Sequence, residues 1–156
     1  MSDKPRRYAI SLVIENAAGD RLVAVQRPAT DPDLPNKWGL PAGMHDPSSR
    51  TWEESVVVAG KQKMGVELEI VGQVGEESSK ERSEYVLVMR QFKATVKGKP
   101  EDPMEGDDYL SRQIVCPQPV QGVTQYQQWR WAVPDDLREA ADAGSLCSQM
   151  FLSTLR

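Results

Sequence analysis

The sequence predicts an α+β protein in which helices flank a mixed β-sheet. Two observations lead to this prediction: apolar, β-branched runs alternate with turns along the chain, and helix start and stop signals mark one central and two C-terminal segments. The chain has 156 residues, of which 39% are hydrophobic and 27% are charged. Because this length and composition suit one hydrophobic core, we assign residues 1–156 to a single domain.

The N-terminal part of the chain is predicted to form a β-hairpin. Residues 8–15 and 21–26 are apolar and rich in β-branched side chains, and a glycine-containing turn at residues 17–20 separates them. The first apolar run is too short and too interrupted for a signal sequence, so we interpret it as a strand. Three prolines within residues 28–37 then predict a loop.

A helix is predicted over residues 51–64, although three consecutive valines in its interior lower the helix propensity. Thr51 and Glu54 have the spacing of a capping box, in which each side chain bonds the backbone N–H of the other residue. Acidic side chains follow the start and lysines precede the end, which suits the helix dipole. Gly65 is the expected stop.

Shorter patterns predict the rest of the fold. We interpret the polar residues 76–84 as a hairpin loop and the acidic residues 97–108 as a mobile loop. Pro134 suits the first turn of a helix, and Ser145 suits the N-cap of another. The predicted elements are strands 66–74, 85–96 and 129–133 and helices 134–143 and 146–155.

Charge and cysteine content restrict the class of protein. The chain has 19 basic and 23 acidic residues and a formal net charge of −4, which argues against nucleic acid or an anionic membrane as a partner. No apolar run approaches the ~20 residues of a membrane span. We expect Cys116 and Cys147, the only cysteines, to be reduced thiols of a cytoplasmic protein.

One motif resembles a known enzyme family. The segment 38–43, Trp-Gly-Leu-Pro-Ala-Gly, stands about twenty residues before the helix end Met64-Gly65-Val66. Together they resemble the Nudix hydrolases, and the resemblance is strongest over residues 8–143. It implies a Nudix-like α/β/α sandwich with a mixed sheet. In that family, glutamates on one helix face hold divalent cations against a diphosphate, and the metal helps to activate the attacking water.

The sequence departs from the family pattern at the metal-binding positions. Counted back from Gly65, the three glutamate positions hold Ala59, Gln62 and Lys63. The spacing from Gly43 to Gly65 is also one residue longer than the pattern. Because a hard divalent cation needs several anionic oxygens, we expect no metal cofactor at the usual site and Mg²⁺ only if a rearranged site exists.

The catalytic residues therefore stay unknown, with three candidates. Glu53 and Glu54 are the acidic side chains of the predicted helix, and the acidic residues 101–108 are a further source of metal ligands. Helix capping and a solvated loop are the respective alternative interpretations. His45 is a candidate general base because an unperturbed histidine titrates near neutrality.

Four side chains are candidates for substrate binding. Arg27 ends a strand beside the motif and is placed to clamp a phosphate, and Lys63 is placed to hold one directly. Trp38 and Trp129 are candidates for stacking on a base or a sugar. The alternatives are a surface arginine, a solvated lysine at a helix end and partly buried tryptophans.

Two functions remain open. One is a divergent Nudix-type hydrolase that acts on a nucleoside diphosphate-linked small molecule through a rearranged site. The other is a catalytically inactive Nudix-fold module that binds a ligand or a protein. The partner that we expect is a phosphorylated small molecule, and a homodimer is left open.

Overall fold

Two β-sheets form the framework of the protein in the computed structural model, which describes residues 4–118 and 125–155. The strands are β1 (Arg6–Val13), β2 (Leu22–Gln26), β3 (Trp38–Gly39), β4 (Ala42–His45), β5 (Leu68–Gln73), β6 (Ser78–Glu81), β7 (Val86–Val96) and β8 (Gln128–Ala132). The helices are α1 (Trp52–Ala59), α2 (Pro103–Gln113), α3 (Arg138–Asp142) and α4 (Leu146–Ser153), with a π-helical turn over Gly60–Met64 and a 3₁₀ turn over Pro134–Leu137.

The first sheet is mixed, as the sequence predicts. Its order is β4-β1-β7-β5, and β6 also pairs with β7. Strands β1 and β7 are parallel, whereas the other pairs are antiparallel. The second sheet is antiparallel, with the order β3-β2-β8. Helices pack on these sheets, so the predicted α+β class is confirmed.

The predicted N-terminal hairpin is wrong in its pairing. Strands β1 and β2 lie in different sheets, and only a short turn joins them through the bridge between Glu15 and Leu22. The N–H of Val23 donates to the carbonyl of Ile14 at 2.9 Å. The physical reason is that β4 and β7 occupy both hydrogen-bonding edges of β1, which leaves no edge for β2.

The helix predicted over residues 51–64 is confirmed, including its start and its end. The Thr51 hydroxyl accepts from the N–H of Glu54 at 3.1 Å, and the Glu54 carboxylate accepts from the N–H of Thr51 at 2.8 Å. Gly65 ends the helix in the left-handed region with φ of 70°. Val56 is fully buried in the main core cluster, so packing outweighs the low helix propensity of the valines.

Two segments predicted as loops contain regular structure. Residues 78–81 form β6 because their backbone pairs with β7, although their side chains show no apolar alternation. Residues 103–113 form α2, where the Asp102 carboxylate caps the first turn and Pro103 occupies its start. The short strands β3 and β4 were also not predicted.

The C-terminal predictions are confirmed. The segment that begins at Pro134 is helical to Asp142, first as a 3₁₀ turn and then as α3. The Ser145 hydroxyl caps α4 by accepting from the N–H of Ser148. Helix α4 covers one face of the first sheet and completes a second core cluster there. None of the described helices has the length and apolar character that a membrane crossing requires.

Candidate functional site

A cleft of about 200 Å³ lies beside the π-helical turn that ends α1. Neighbouring strands of the first sheet form its apolar floor. Ala9 of β1 pairs with Met44 of β4 on one side and with Met89 of β7 on the other, so these side chains share one face. Leu87 lies two residues from Met89 and extends the floor along the same face.

The polar lining of this cleft is mainly cationic. Arg27, Lys63 and Arg82 line it, and Asp33 is the only carboxylate among the described lining residues. Such a set attracts anions, and guanidinium groups in particular match the geometry of phosphate oxygens. The arrangement is therefore suited to an anionic ligand that carries an apolar part.

Arg27 is held in place by the loop that follows β2. Its guanidinium Nη1 lies 3.2 Å from Oδ2 of Asp31, whose side chain is only 6% exposed. The other oxygen of Asp31 accepts from the N–H groups of Asp33 and Leu34. Burial alone raises the pKa of Asp31, but these two N–H groups and Arg27 together lower it below its usual value.

Lys63 lies in the π-helical turn and is half-buried. Its Nζ is 5.2 Å from the ring centroid of Tyr126, a distance typical of a cation–π contact. Burial lowers the pKa of Lys63 to about 8, and the positive charge of Arg27 acts in the same direction. Arg27 and Lys63, two of the four predicted substrate-binding residues, are thus brought together in one cleft.

The π-helical turn accounts for the extra residue between the two glycines of the motif. A turn closed by bonds of the i→i+5 type contains one residue more than an α-helical turn. Here the N–H of Gly65 donates to the carbonyls of both Gly60 and Lys61. The residues before this turn therefore align with the family pattern when positions are counted from Gly43. The residues after the turn align with the pattern when positions are counted back from Gly65.

Neither register gives the helix a set of carboxylates. The count from Gly43 places the three glutamate positions at Val58, Lys61 and Gln62, and the count from Gly65 places them at Ala59, Gln62 and Lys63. Ala59 lies under Gly43, where an added Cβ on the glycine would be 3.0 Å from the Ala59 Cβ. Within residues 4–118 and 125–155, no three His, Cys, Asp or Glu side chains form a group that could hold a metal ion. These residues do not fit the Mg²⁺ that the family resemblance implies.

Glu53 and Glu54 lie at the opposite end of α1 from Lys63. Lys63 lies nine positions after Glu54, which corresponds to about 13 Å along the helix axis. Both side chains are exposed, and the carboxylate of Glu54 is engaged in the capping box. Backbone and hydroxyl hydrogen bonds from Thr51 lower the pKa of Glu54, as capping requires. The structure does not bring either glutamate to the cleft.

His45 faces away from the cleft. Met44 points into the cleft, and adjacent residues of a strand point to opposite faces, so His45 packs on the α1 side. Its ring is 5% exposed, stacks on Trp52 at 4.0 Å and places Nδ1 2.7 Å from Oγ of Ser55. Burial lowers the pKa of His45. These contacts are those of a packed core histidine.

The two tryptophans predicted to stack on a substrate also lie outside the cleft. Trp38 belongs to β3, and the Arg130 guanidinium lies 4.2 Å above its ring. Trp129 belongs to β8, where it contacts Trp131 edge to face at 5.6 Å and packs against the main core. Both rings contact other side chains of the protein, and neither is among the described residues that line the cleft.

Among the cleft residues that sequence reasoning did not single out are Arg82 and Tyr126. Arg82 follows β6 and is anchored by donating to the carbonyl of Gly144 at 3.2 Å. The Tyr126 hydroxyl accepts from the N–H of Ala42 and donates to its carbonyl, both at 2.9 Å. Neither residue has a local pattern that indicates a site, because each reaches the cleft through contacts with distant parts of the chain.

Comparison with known proteins identifies the fold. No protein-family model and no curated protein matches the chain. Solved structures do match it. A MutT protein from Methanosarcina mazei is 14% identical over 100% of both chains with a TM-score of 0.63. A Nudix hydrolase from Nitrosomonas europaea is 15% identical, covering 96% of this chain and 87% of its own, with a TM-score of 0.65.

A third solved structure is an Ap4A hydrolase from C. elegans in a binary complex. It is 21% identical, covers 96% of this chain and 97% of its own, and has a TM-score of 0.58. At these identities the likeness establishes the fold. The protein therefore has the Nudix fold, as the resemblance of its motif implies, and its function must be argued from its own side chains.

Proposed function

We propose that this Nudix-fold protein binds the phosphate or diphosphate group of a small molecule in the cleft beside Lys63, without a divalent metal. The observation that carries the proposal is the exchange of charge at the helix end: a lysine stands where the family pattern has a carboxylate. Arg27 and Arg82 line the same cleft. Cationic side chains thus take the place that metal ions have in the family.

Physical chemistry supports direct recognition of phosphate. A hydrogen bond between a charged donor and an anionic acceptor contributes ~1.5–3 kcal/mol, about twice the contribution of a neutral one. The apolar floor next to these cations excludes water from one side of the ligand, which strengthens such bonds. The nucleoside part of our sequence hypothesis has less support, because neither Trp38 nor Trp129 lines the cleft.

The hydrolase alternative lacks a set of ligands in the described chain. Glu54 is engaged in capping, and Glu53 lies on the same exposed first turn. Among the acidic residues 101–108, Asp102 caps α2 and Asp107 accepts from the N–H of Ala17. Glu54, Asp102 and Asp107 thus have structural partners, and none of the candidate acidic residues is among the described residues that line the cleft. Binding is therefore the function that the site supports best.

A charge reversal tests this proposal. Calorimetric titration with pyrophosphate and with ADP in EDTA should show binding to the wild type that weakens with added salt, because exposed charges are screened over ~8–10 Å. Lys63→Glu should lower the affinity about tenfold or more, since it removes one charge-assisted bond and adds a repulsive charge.

Lys61→Glu is the matched control. Lys61 lies in the same turn, but its side chain is 58% exposed and faces Glu67 at 3.7 Å. We expect this variant to bind pyrophosphate within about threefold of the wild type, as exposed charges contribute little. Equal losses in both variants, or no binding to the wild type, would contradict the proposed site.

A further inference from the structure

Lys63 has the surroundings of a reactive amine. Most lysines extend into water, where the ammonium form is strongly hydrated. Lys63 is half-buried and lines the cleft together with Arg27, the ring of Tyr126 and the apolar floor. Desolvation and a neighbouring cation are the two conditions under which proteins convert a lysine into a nucleophile.

Burial and the positive charge of Arg27 favour the neutral amine of Lys63. Arg27 comes from the end of β2, and Arg82 comes from the turn before β7. Asp31 opposes them, but its carboxylate is bound to Arg27 and to two backbone N–H groups. Asp33 is exposed at the rim. The charges of these four side chains sum to zero, so burial is the main cause that favours the neutral amine, and Arg27 acts in the same direction.

The consequence for protonation is large. With its pKa lowered to about 8, about one Lys63 side chain in ten is a neutral amine at pH 7. For a lysine at the ordinary value of 10.5, fewer than about one in a thousand is neutral at the same pH. The neutral amine is the form that attacks a carbonyl carbon.

We propose that Lys63 forms an imine with small aldehydes that carry a phosphate group, the phosphate lying against Arg27 and Arg82. This inference rests on the proposed phosphate binding and names the chemical class of the ligand. Nζ of Lys63 attacks the aldehyde carbon and forms a C–N bond. The carbonyl oxygen leaves as water with both amine protons, and a C=N bond remains. The step needs no oxidant or reductant.

The geometry of the cleft suits such a two-part ligand. One N–H of the Arg27 guanidinium is directed at Asp31, and a guanidinium has five donors, so it can bind a phosphate at the same time. A phosphate held there brings the attached carbonyl next to the amine, which raises its effective concentration. The apolar floor then limits hydrolysis of the adduct by excluding water.

The experiment uses the full chain and glycolaldehyde phosphate as the probe. Glycolaldehyde, which lacks the phosphate group, is the control compound. Sodium borohydride reduces any imine to a stable secondary amine, and peptide mass spectrometry locates it. We expect one adduct per chain, on Lys63, formed about tenfold faster with the phosphorylated aldehyde and suppressed by pyrophosphate. The rate should rise with pH up to about pH 8.

Two variants provide the controls. Lys63→Arg keeps the positive charge but cannot form an imine, so the adduct should disappear. Lys61→Arg alters the exposed lysine of the same turn and should leave labelling of Lys63 unchanged. An adduct spread over surface lysines, or one that persists in Lys63→Arg, would overturn the inference.

The experiments distinguish failure of the imine inference from failure of the proposed phosphate binding. If pyrophosphate binds the wild type in EDTA but Lys63 is not labelled, the imine inference fails and the phosphate-binding function stands. If both aldehydes label Lys63 equally and pyrophosphate does not bind, the selection for phosphorylated aldehydes fails together with the proposed function.

Discussion

At the scale of single residues, position 63 combines burial and charge in an unfavourable way for stability. The ammonium of Lys63 is partly removed from water and lies near the positive charge of Arg27. Both effects penalise the charged form in the folded state but not in the unfolded chain. Such a cation lowers the free energy of unfolding of the ligand-free protein. At a site that binds anions, the bound anion compensates the positive charge and stabilises the folded state.

The stability of a Lys63→Met variant should therefore depend on pH. The folded pKa of about 8 is below the unfolded value of 10.5, so the unfolded state binds more protons between these values. The penalty is fully present below about pH 8 and disappears as the pH rises toward 10.5. Lys63→Met should have the higher free energy of unfolding at pH 7, and this advantage should shrink toward pH 10.

Urea denaturation of the two proteins across this pH range measures the effect. Groups remote from Lys63 that titrate in the same range are present in both proteins and cancel in the difference. A difference in free energy of unfolding that stays constant or grows from pH 7 to pH 10 would contradict the lowered pKa.

At the scale of elements, the π-helical turn decides what the helix presents to the cleft. Helix α1 is positioned from its N-terminus by the capping box at Thr51 and by the contact of Ala59 under Gly43. The turn after it, Gly60–Met64, holds one additional residue before Gly65. Lys63 thereby reaches the cleft while the buried face of α1 keeps its contacts with the first sheet.

Deletion of one residue should distinguish these two parts of the helix. Removing Gln62 from the π-helical turn should be tolerated, at a cost of about 2 kcal/mol or less, because the turn can close with α-helical bonds. Removing Val57 from α1 rotates all following residues by about 100° and should unfold the protein. Circular dichroism and urea denaturation report both outcomes, and equal damage from both deletions would contradict this account.

At the scale of the whole molecule, Tyr126 connects the two sheets behind the cleft. It precedes β8 of the second sheet, and its hydroxyl binds both backbone groups of Ala42 at the start of β4 in the first. The side chain is 2% exposed, so water cannot replace these bonds. Burial raises the pKa of Tyr126 to about 12, which keeps the hydroxyl protonated as a donor.

Tyr126→Phe should destabilise the protein by about 1–3 kcal/mol, because the N–H and carbonyl of Ala42 lose their partner in a buried place. It should also weaken pyrophosphate binding, since the wall of the cleft is no longer fixed. Tyr109→Phe is the control: its hydroxyl makes one solvent-exposed bond to the carbonyl of Lys97, so a smaller loss is expected. Thermal unfolding with equal losses in both variants would contradict the linking role.

The sequence by itself determined the features that depend on neighbouring residues. The capping box at Thr51, the stop at Gly65 and the N-cap at Ser145 were all predicted, because each involves groups within a few positions of one another. The mixed-sheet class and the Nudix fold also followed, from strand patterns and from the motif around Gly43.

Tertiary structure alone decided the pairing of strands and the composition of the cleft. Residue patterns showed that β1 and β2 are strands but not that β4 and β7 would occupy both edges of β1. Arg82 reaches the cleft through a bond to Gly144, 62 residues away in sequence. The physical reason is range: capping and turn chemistry act locally, whereas pairing and burial depend on which distant segments share one core.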